Sequence, residues 1–340
     1  MSGRRPKIKD IAEKVGVSPA TVSRALSGSG LVAEPTLSRI RETARAMNYR
    51  PNVSARNLRT QRSMSVLMVV RDIGNPFYLE VMKGVEEAAS AAGYAVLMGN
   101  TQNDRRREME YFDMLRDGHA DGMILMTGKL PPKLEAEREA LSRLPLVVAL
   151  ETIEGYGLPH VQVDNFRAAR EAVEHLIGLG HTRIAHLTGP LPEVMATLRR
   201  DGWRAAMEAA NLPILPGYEQ RGDYLLATGH ELGAKLCDLP EPPTAIFCAN
   251  DEMAFGVIHE LRRRGLDVPG DVSVVGFDDI YLSKALFPPL TTVSQPRADI
   301  GRKAMSLLLD VMGEAELSPE PIVMPTTLKI RGTTGPVRMT

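Results

Sequence analysis

From residue 65 onward the sequence alternates short apolar runs with amphipathic stretches of helical period. Apolar runs stand at 66–70, 95–99 and 122–126, and amphipathic stretches begin at Phe77 and Arg105. Strands that are apolar throughout are typical of parallel sheets covered by helices on both faces. The alternation continues to Asp278, which is more than one sheet easily holds, and a second set begins near VQVDN at 161–165. The predicted fold class is therefore α/β, with two doubly wound parallel-sheet lobes and a cleft between them.

The charges are divided unequally at about residue 63. Residues 1–63 hold 13 Lys and Arg against 4 Asp and Glu, a net charge of +9, and residues 64–340 carry a net charge of −10. A short basic segment ahead of a long acidic one indicates a polyanionic partner. Its periodic apolar residues and helix caps favour a folded nucleic-acid-binding module over a solvated basic tail.

Length and composition exclude several classes of protein. The 340 residues exceed what one hydrophobic core usually organises, and a hydrophobic content of 44% is ordinary for a globular protein. No apolar run approaches the roughly 20 residues that span a bilayer, and the N-terminus lacks a secretory signal. We therefore expect a cytoplasmic protein without a membrane partner. Cys237 and Cys248 stand in apolar sequence and are interpreted as reduced core residues.

The first fifty residues contain two short helices joined by a tight turn. The apolar face of the first helix ends at Gly16 and consists of Ile8, Ile11, Ala12 and Val15. Ser18 can cap the second helix, PATVSRAL, in which Pro19 suits the first position because no amide hydrogen is needed there. A third helix follows, with Leu37, Ile40, Ala44 and Met47 on one face. The spacing predicts a helix-turn-helix, the alternative being an ordinary helical hairpin.

This segment resembles the DNA-binding module of the lactose-repressor (LacI/GalR) family of bacterial regulators. The motif is IKDIAEKVGVSPATVSRAL followed by YRPNVSARNLR, and the resemblance continues through nearly the whole chain. It implies that the second helix enters the major groove, where Arg24 grips guanine and Ala20 offers an apolar contact. Lys7 and Ala33 stand where the family usually has a capping hydroxyl, so the first and third helices are expected to fray more.

The same resemblance implies a hinge helix at 52–59 that folds on the operator and inserts Leu58 between base pairs of the minor groove. Two such hinges in a dimer would supply the packing that each lacks alone. The residues assigned to DNA are Ser18, Pro19, Ala20, Thr21, Ser23, Arg24, Tyr49, Asn52, Ala55, Leu58 and Arg59.

Polar residues follow several of the predicted strands. Asn75 to Tyr78 follow the first strand, Asn250 and Asp251 follow TAIF, and Asp278 and Asp279 follow VSVV. Ligands of such sheets lie beyond the carboxyl ends of the strands, and Asn, Asp and aromatic side chains suit a polyhydroxylated molecule. For any one of these residues, capping of the following helix is the simpler interpretation.

Together they resemble the type I periplasmic sugar-binding fold, which is the effector domain of the same family. The effector-binding residues that this resemblance implies are Asn75, Phe77, Glu151, Arg199, Tyr224, Asn250, Asp278 and Gln295. Glu151 is placed at the cleft edge, where it would meet a base. Stretches such as LPHVQVDN and PPLTTVSQPRADIGR are most similar to the family's cytidine-responsive repressors, which implies a nucleoside effector.

The resemblance implies three parts. Residues 1–50 form the helix-turn-helix headpiece, 51–63 the hinge helix and linker, and 64–335 the effector-binding and dimerisation domain. Its first lobe is expected at about 64–162 and 293–323 and its second at about 163–292 and 324–335, with crossings near 161–164, 290–294 and 320–326. Effector binding at such a hinge would alter the spacing of two headpieces in a dimer, and so DNA affinity.

The expected partners are double-stranded operator DNA, a nucleoside or sugar effector, and a second copy of the chain. No leucine heptads follow residue 335, which favours a homodimer over a tetramer. The helix from Phe77, with Val81, Val85 and Ala88 or Ala89 along it, is a candidate dimer surface, the alternative being packing on its own sheet.

The sequence disfavours two other functions and leaves a third open. An enzyme is disfavoured because no phosphate-binding glycine loop or nucleophile motif appears and His175, His181 and His186 lack metal-ligand spacing. No metal or cofactor is therefore expected. A periplasmic solute receptor is opposed by the basic module and the missing signal. Control of the same DNA-binding regulator by a sugar phosphate or a protein corepressor stays open.

Overall fold

The computed structural model describes residues 6–26, 31–49, 62–153, 155–315 and 320–338. The chain folds as two compact units, Met1–Ser63 and Met64–Thr340. Among the described residues, no helix is both long and apolar enough to cross a membrane.

The smaller unit is built from three helices around a small apolar core. They are α1 (Ile8–Val15), α2 (Pro19–Leu26) and α3 (Glu34–Ala46). Ile11, Val22 and Ile40 are fully buried where the three helices meet. Gly16 adopts a φ of +74°, and its amide donates to the Ala12 carbonyl, which ends α1 as the sequence predicts. The apolar spacing thus closes into one core.

The two positions that depart from the family pattern lack a side-chain cap. The side chains of Lys7 and Ala33 make no cap hydrogen bond at the starts of α1 and α3. At α1 the loss is partly offset, because the Lys7 amide donates to the Asp10 carboxylate at 2.7 Å. The start of α3 has a proline in its first turn instead, where the missing amide hydrogen costs nothing.

The larger unit begins with the elements of the first lobe. These are β1 (Ser65–Val70), α4 (Phe77–Ala91), β2 (Ala95–Asn100), α5 (Arg105–Arg116), β3 (Gly122–Leu125), α6 (Pro132–Ala136), α7 (Arg138–Ser142), β4 (Leu146–Ala149) and β5 (His160–Val163). The remaining elements are α8 (Asn165–Gly178), β6 (Ile184–Thr188), α9 (Val194–Ala209), β7 (Glu219–Arg221), α10 (Leu226–Cys237), β8 (Ala245–Cys248), α11 (Asp251–Arg263), β9 (Ser273–Asp278), a 3-10 helix (Tyr281–Lys284), β10 (Thr291–Ser294), α12 (Arg297–Met312), β11 (Ile322–Met324) and β12 (Thr327–Lys329).

The strands form two six-stranded sheets. The first has the order β11-β5-β4-β3-β1-β2 and the second the order β12-β10-β9-β8-β6-β7. All pairings are parallel except that of β10 with β12. The run at 161–165, expected to start the second set, instead pairs with β4 in the first sheet. The second lobe starts with α8, because the chain leaves the first sheet after Val163.

The chain passes between the lobes at three places. The first lies between β5 and α8, the second between β10 and α12, and the third between β11 and β12. Although α12 follows a strand of the second sheet, it packs against α4 and the first sheet. Three adjacent connections give the lobes a hinge.

Helix α4 is held inside the first lobe by its apolar face. Val81, Val85 and Ala89 are fully buried, and a Cβ on Gly84 would stand 1.9 Å from the Ala298 carbonyl oxygen of α12. This face therefore packs within its own lobe, as the alternative has it, and a contribution of the helix to a dimer surface through its other side chains stays a prediction. The apolar periodicity could not distinguish these two, because both bury the same face.

Both cysteines are free thiols. Cys248 lies buried in β8, and Cys237 is half-buried at the end of α10. They serve as core residues, as the sequence predicts.

Candidate functional site

Helix α2 presents a polar surface on the side away from the headpiece core. Pro19, Ala20 and Arg24 are exposed, whereas Val22 and Ala25 are buried. The Thr21 amide donates to the Ser18 hydroxyl at 3.1 Å, so Ser18 caps the helix as expected. The three side chains assigned to the base edges therefore share the accessible face.

The remaining residues assigned to DNA lie around this face or outside the described residues. Thr21 and Ser23 are half-buried on α2, and Tyr49 is half-buried against the headpiece core. The Tyr49 amide donates to the Ala44 carbonyl at 2.8 Å, which fixes the residue after α3. The hinge residues lie outside the described part of the chain: Asn52, Ala55, Leu58 and Arg59.

A cavity of about 320 Å³ lies in the larger unit, where the strands of both lobes end. This volume is in the range of small-molecule sites. All eight residues that the sequence assigns to an effector line it: Asn75, Phe77, Glu151, Arg199, Tyr224, Asn250, Asp278 and Gln295. Contact between these side chains and a ligand remains a prediction.

Arg199 is the buried cation of the second lobe. Its side chain on α9 donates from Nε to Asn165 Oδ1 at 2.9 Å and from Nη1 to the Ala249 carbonyl at 2.5 Å. Its guanidinium carbon lies 3.7 Å from the centroid of the Phe277 ring. Three contacts from three elements hold this charge in one orientation before any ligand arrives.

Asp278 is the buried acid of the second lobe. It ends β9, and its Oδ1 accepts from Gln295 Nε2 at 2.8 Å. Burial raises the pKa of this carboxyl, and the nearby Arg199 acts in the opposite direction. The backbone of Asp278 has a φ of +122°, which an aspartate adopts only under constraint from its surroundings.

Asn75 and Asn250 both cap the helix that follows them. Asn75 Oδ1 accepts from the Phe77 amide at 2.9 Å, and Asn250 Oδ1 accepts from the Met253 amide at 3.0 Å. Asn250 Nδ2 also donates to the Tyr224 carbonyl. The simpler interpretation of these two residues is thus correct, and they line the cavity as well.

Glu151, which follows β4, is the buried acid of the first lobe. Its side chain is only 1% exposed, and within the described residues neither carboxylate oxygen has a hydrogen-bond partner. Arg71 Nη2 stands 3.8 Å from Glu151 Oε1 but 2.7 Å from Glu193 Oε2, so it bonds Glu193. The ion pair of Arg71 with Glu193 joins the first lobe to the start of α9 in the second lobe.

Aromatic rings form part of the cavity wall. Phe77 and Tyr78 meet edge to face, with ring centroids 5.5 Å apart, and the Arg71 guanidinium lies 5.9 Å from the centre of the Tyr224 ring. Burial raises the pKa of both tyrosines, so they are neutral hydroxyls. Among the described residues the Tyr224 hydroxyl has no hydrogen-bond partner, and neither has Gln295 Oε1.

Sequence reasoning missed about half of the cavity wall. It omitted Arg71, Asp72, Tyr78, Gln102, Asn103, Met126, Leu150, Met195, Asp223 and Leu225. The sequence prediction took ligand residues from the positions just after three of the strands. The same rule would have found several of the missed residues, because Arg71 and Asp72 follow β1 directly and Gln102 and Asn103 follow β2.

Two acidic residues that looked equally suited to a ligand serve the fold instead. Asp251 accepts from the Ile280 amide, the Ser283 hydroxyl and the Thr292 hydroxyl, at 2.9, 2.6 and 2.5 Å. Asp279 pairs with Arg331 at 2.5 Å. Both carboxylates are occupied in joining α11, the 3-10 helix and the strands beside the hinge.

The described residues contain no group of three or more His, Cys, Asp or Glu side chains placed to hold a metal ion. His181 and His186 instead bond neighbouring hydroxyl or carbonyl groups within the second lobe.

Two family models match the chain. Residues 7–52 match "Bacterial regulatory proteins, lacI family", and residues 173–334 match "Periplasmic binding protein-like domain". The first covers the headpiece, and the second covers most of the second lobe and the return through the first.

Relatives and solved structures agree with these matches. The HTH-type transcriptional repressor CytR of Escherichia coli (strain K12) is 39% identical over 327 residues, 96% of each chain. The lac repressor dimer bound to operator and the anti-inducer ONPF has a TM-score of 0.88 at 26% identity, over 98% of this chain and 100% of that one. The transcriptional regulator CelR in complex with cellobiose has a TM-score of 0.74 at 29% identity, over 97% and 100%.

Proposed function

The chain belongs to the lacI family of bacterial regulatory proteins, and we propose that it is a repressor whose hold on operator DNA is controlled by a nucleoside. It is a DNA-binding transcriptional regulator with a helix-turn-helix headpiece and an effector-binding domain, and it acts as a homodimer. Its place of action is then the cytoplasm, where its DNA lies, and its work is binding rather than catalysis.

The cavity carries the proposal for the effector. Side chains from both lobes, many of them just after strand ends, line one volume of about 320 Å³, and Arg199, Asp278 and Gln295 among them can meet hydroxyl groups. Asp278 and Gln295 each offer an acceptor, and Arg199 is a fixed cation. The aromatic rings and Met126, Leu150 and Met195 give the same cavity an apolar surface. A ribose joined to a flat heterocyclic ring has both characters.

The proposal for DNA is carried by the exposed face of α2. Arg24 is assigned to a guanine in the major groove and Ala20 to a thymine methyl group, with Ser18, Thr21 and Ser23 on phosphates. By family resemblance alone, Asn52 is assigned to phosphates and Leu58 to the minor groove, and Tyr49, Ala55 and Arg59 are assigned to DNA without a particular group.

The dimer surface is reassigned to the edge of the first sheet. Leu97 and Met98 of the edge strand β2 are 37% and 38% exposed, and Leu79 on the outer face of α4 is 44% exposed. An apolar edge strand left uncovered in one chain is typical of a surface that a second chain covers. The other sheet ends in the polar strand β7, so the homodimer is proposed to form through the first lobe.

The effector proposal is tested on the full-length protein. Binding of cytidine, adenosine, ribose and cellobiose is measured by titration calorimetry, and operator affinity is measured by mobility shift with DNA selected from a random pool. We expect a nucleoside to bind more tightly than ribose and to change operator affinity about 5- to 150-fold, the usual range of allosteric coupling. Tighter binding of cellobiose would replace the nucleoside by a sugar, and no response to any of the four would favour a sugar phosphate or a protein corepressor.

The headpiece proposal is tested by Arg24→Ala. Loss of a bidentate contact to guanine should cost about 1 to 3 kcal/mol at one base pair and relax the preference there. Arg45→Ala, at an exposed arginine of α3, is the matched control and should weaken all sequences alike or none. Unchanged discrimination by Arg24→Ala would remove that residue from base reading.

A further inference from the structure

The carboxyl group of Glu151 is buried in the cavity without the partners that a buried charge needs. The residue is 1% exposed, and in the described part of the chain both oxygens lack a hydrogen bond. A buried carboxylate without hydrogen bonds costs several kcal/mol, so such groups are rare unless something else completes them. Gly128 makes the position possible, because a Cβ there would stand 2.9 Å from Glu151 Oε2.

The cation that lies beside Glu151 is shared with another acid. Arg71 bonds Glu193 at 2.7 Å and stands 3.8 Å from Glu151. Two carboxyl groups therefore face one guanidinium, and only Glu193 takes its hydrogen bond. The arrangement leaves Glu151 without a full counter-charge.

Groups on every surrounding element affect the proton on Glu151. Burial raises its pKa to about 7, and Arg71 after β1 acts against this rise. Glu193 raises the pKa further, whereas Arg199 of α9 and the Met195 amide lower it without the geometry of a hydrogen bond. Tyr78 of α4 and Tyr224 face it as neutral hydroxyls. Asp278, the other buried acid of the cavity, has its own pKa raised by burial.

A protonated carboxyl differs from a carboxylate in what it recognises. The neutral acid has one O–H donor beside one C=O acceptor, while the ion has acceptors only. The edge of a heterocyclic base likewise has a donor beside an acceptor, for example an amino group next to a ring nitrogen. Such an edge fits the neutral acid with two parallel hydrogen bonds.

We propose that Glu151 binds the ligand as a neutral carboxylic acid, donating to a ring nitrogen and accepting from the adjacent amino group of a heterocyclic base. This rests on the proposed nucleoside effector and adds the residue that reads the base. The two Glu151 oxygens without a hydrogen-bond partner are the positions that the base edge completes.

The first test compares protonation with binding in the full-length dimer. Adenosine and cytidine are titrated between about pH 6 and about pH 8.5, and the affinity of the parent should fall up to about tenfold per pH unit above neutrality. Glu151→Gln keeps a donor beside an acceptor, so it should bind within about threefold of the parent at neutral pH. It should also lose the part of the pH dependence that Glu151 contributes, and the part that remains is that of Asp278, whose pKa burial also raises.

The second test removes the acceptor from the base. Replacing a ring nitrogen by CH, in 3-deazacytidine or 1-deazaadenosine, should weaken binding to the parent and to Glu151→Gln by about tenfold. Glu151→Ala should bind the nucleoside and its deaza analogue equally, since the contact is gone in both. Thermal unfolding checks that each variant is folded, and if Glu151→Ala is not, the comparison of parent and Glu151→Gln decides.

Three results would overturn the proposal. If Glu151→Gln loses tenfold or more while the parent gains affinity with rising pH, Glu151 acts as an ion. If the deaza analogues bind the parent as well as the nucleosides do, Glu151 does not touch that edge. If ribose or cellobiose binds and neither nucleoside does, the nucleoside effector is itself wrong, and this role of Glu151 is lost with it.

Discussion

Two buried carboxyl groups, one from each lobe, face the same cavity in different states. Asp278 of the second lobe accepts a hydrogen bond from Gln295 and lies near Arg199, which is itself held by Asn165 and Ala249. Glu151 of the first lobe has no hydrogen-bond partner among the described residues. The second lobe thus presents a preorganised set of polar groups, which we call the ordered wall. The first lobe presents Glu151, the unpartnered wall, which a ligand must complete. A ligand can bind first to the ordered wall and then contact Glu151 of the first lobe. The orientation of the two lobes then depends on the ligand.

Removing the cation of the ordered wall should have the largest effect. Arg199→Ala leaves the acceptors of Asn165 and Ala249 without their donor and removes from Asp278 the larger of its two positive neighbours, Arg199 and Arg297. We expect the free energy of unfolding to fall by about 3 kcal/mol or more and nucleoside binding to be lost. Urea denaturation and calorimetry measure both.

The neighbouring Arg200→Ala is the matched control for this variant. Arg200 pairs with Asp201 on the surface, so its loss should cost less than about 1 kcal/mol. If the two variants were equally stable, the ordered wall would not depend on Arg199.

A substitution in the unpartnered wall should raise the free energy of unfolding, whereas Arg199→Ala lowers it. The pKa of Glu151 is raised in the folded state to about 7, so the protein holds this proton more tightly when folded. Its contribution to stability is present below the unfolded pKa and is lost as the pH rises through about 7. Glu151→Gln removes that loss, so the variant should be more stable than the parent by about 2 to 3 kcal/mol above neutrality and similar at acidic pH.

Urea denaturation of parent and variant at about pH 5.5, 7 and 8.5 measures the difference. Taking the difference cancels the other buried acids whose pKa burial raises, such as Asp278 and Glu252. A difference that stays constant with pH would show that Glu151 is not the group that titrates.

Replacing the Asp278 carboxyl group by an amide should affect binding more than stability. Asn at position 278 keeps an acceptor for Gln295 and tolerates a positive φ, so Asp278→Asn should fold and be at least as stable as the parent. Affinity for the nucleoside should fall about tenfold by calorimetry, because the amide has one acceptor oxygen fewer to offer to the hydroxyl groups of the ligand. Asp117→Asn, at an exposed aspartate after α5, is the control that should change neither quantity. Equal ligand affinity in both variants would place Asp278 outside the site.

The smallest effect is expected at the Tyr224 hydroxyl. Since this buried group has no partner in the described structure, Tyr224→Phe should leave stability unchanged or slightly raised. Binding should weaken only a few-fold by calorimetry, through the loss of one neutral hydrogen bond. A loss as large as that of Asp278→Asn would mean that this hydroxyl belongs to the ordered wall.

Sequence reasoning located the cavity better than it defined its members. Eight residues chosen after strand ends or by family resemblance do line one cavity, because parallel strands bring their carboxyl ends to one edge of a sheet. The same rule could not separate Asn75 and Asn250, which cap helices at the cavity, from Asp251, which bonds the loop behind it. Each stands after a strand, and only the direction of the side chain distinguishes them. Arg71 was missed although it obeys the rule, because a charged residue after a strand is also typical of a solvated turn.

The sequence by itself determined the local elements and the division of the chain. Short-range spacing depends only on neighbouring residues. It predicts the caps and apolar periods of α1 and α2, the basic first unit, and the alternation of strands and helices. Only the tertiary structure decided which sheet β5 joins, that α12 returns to the first lobe, and that the apolar face of α4 is spent inside that lobe. It also decided that Arg71 bonds Glu193, so that Glu151 has no hydrogen-bond partner among the described residues. These features depend on contacts between segments that are distant in the sequence. Spacing along the chain does not predict which side chains such contacts bury or which charges they bring together.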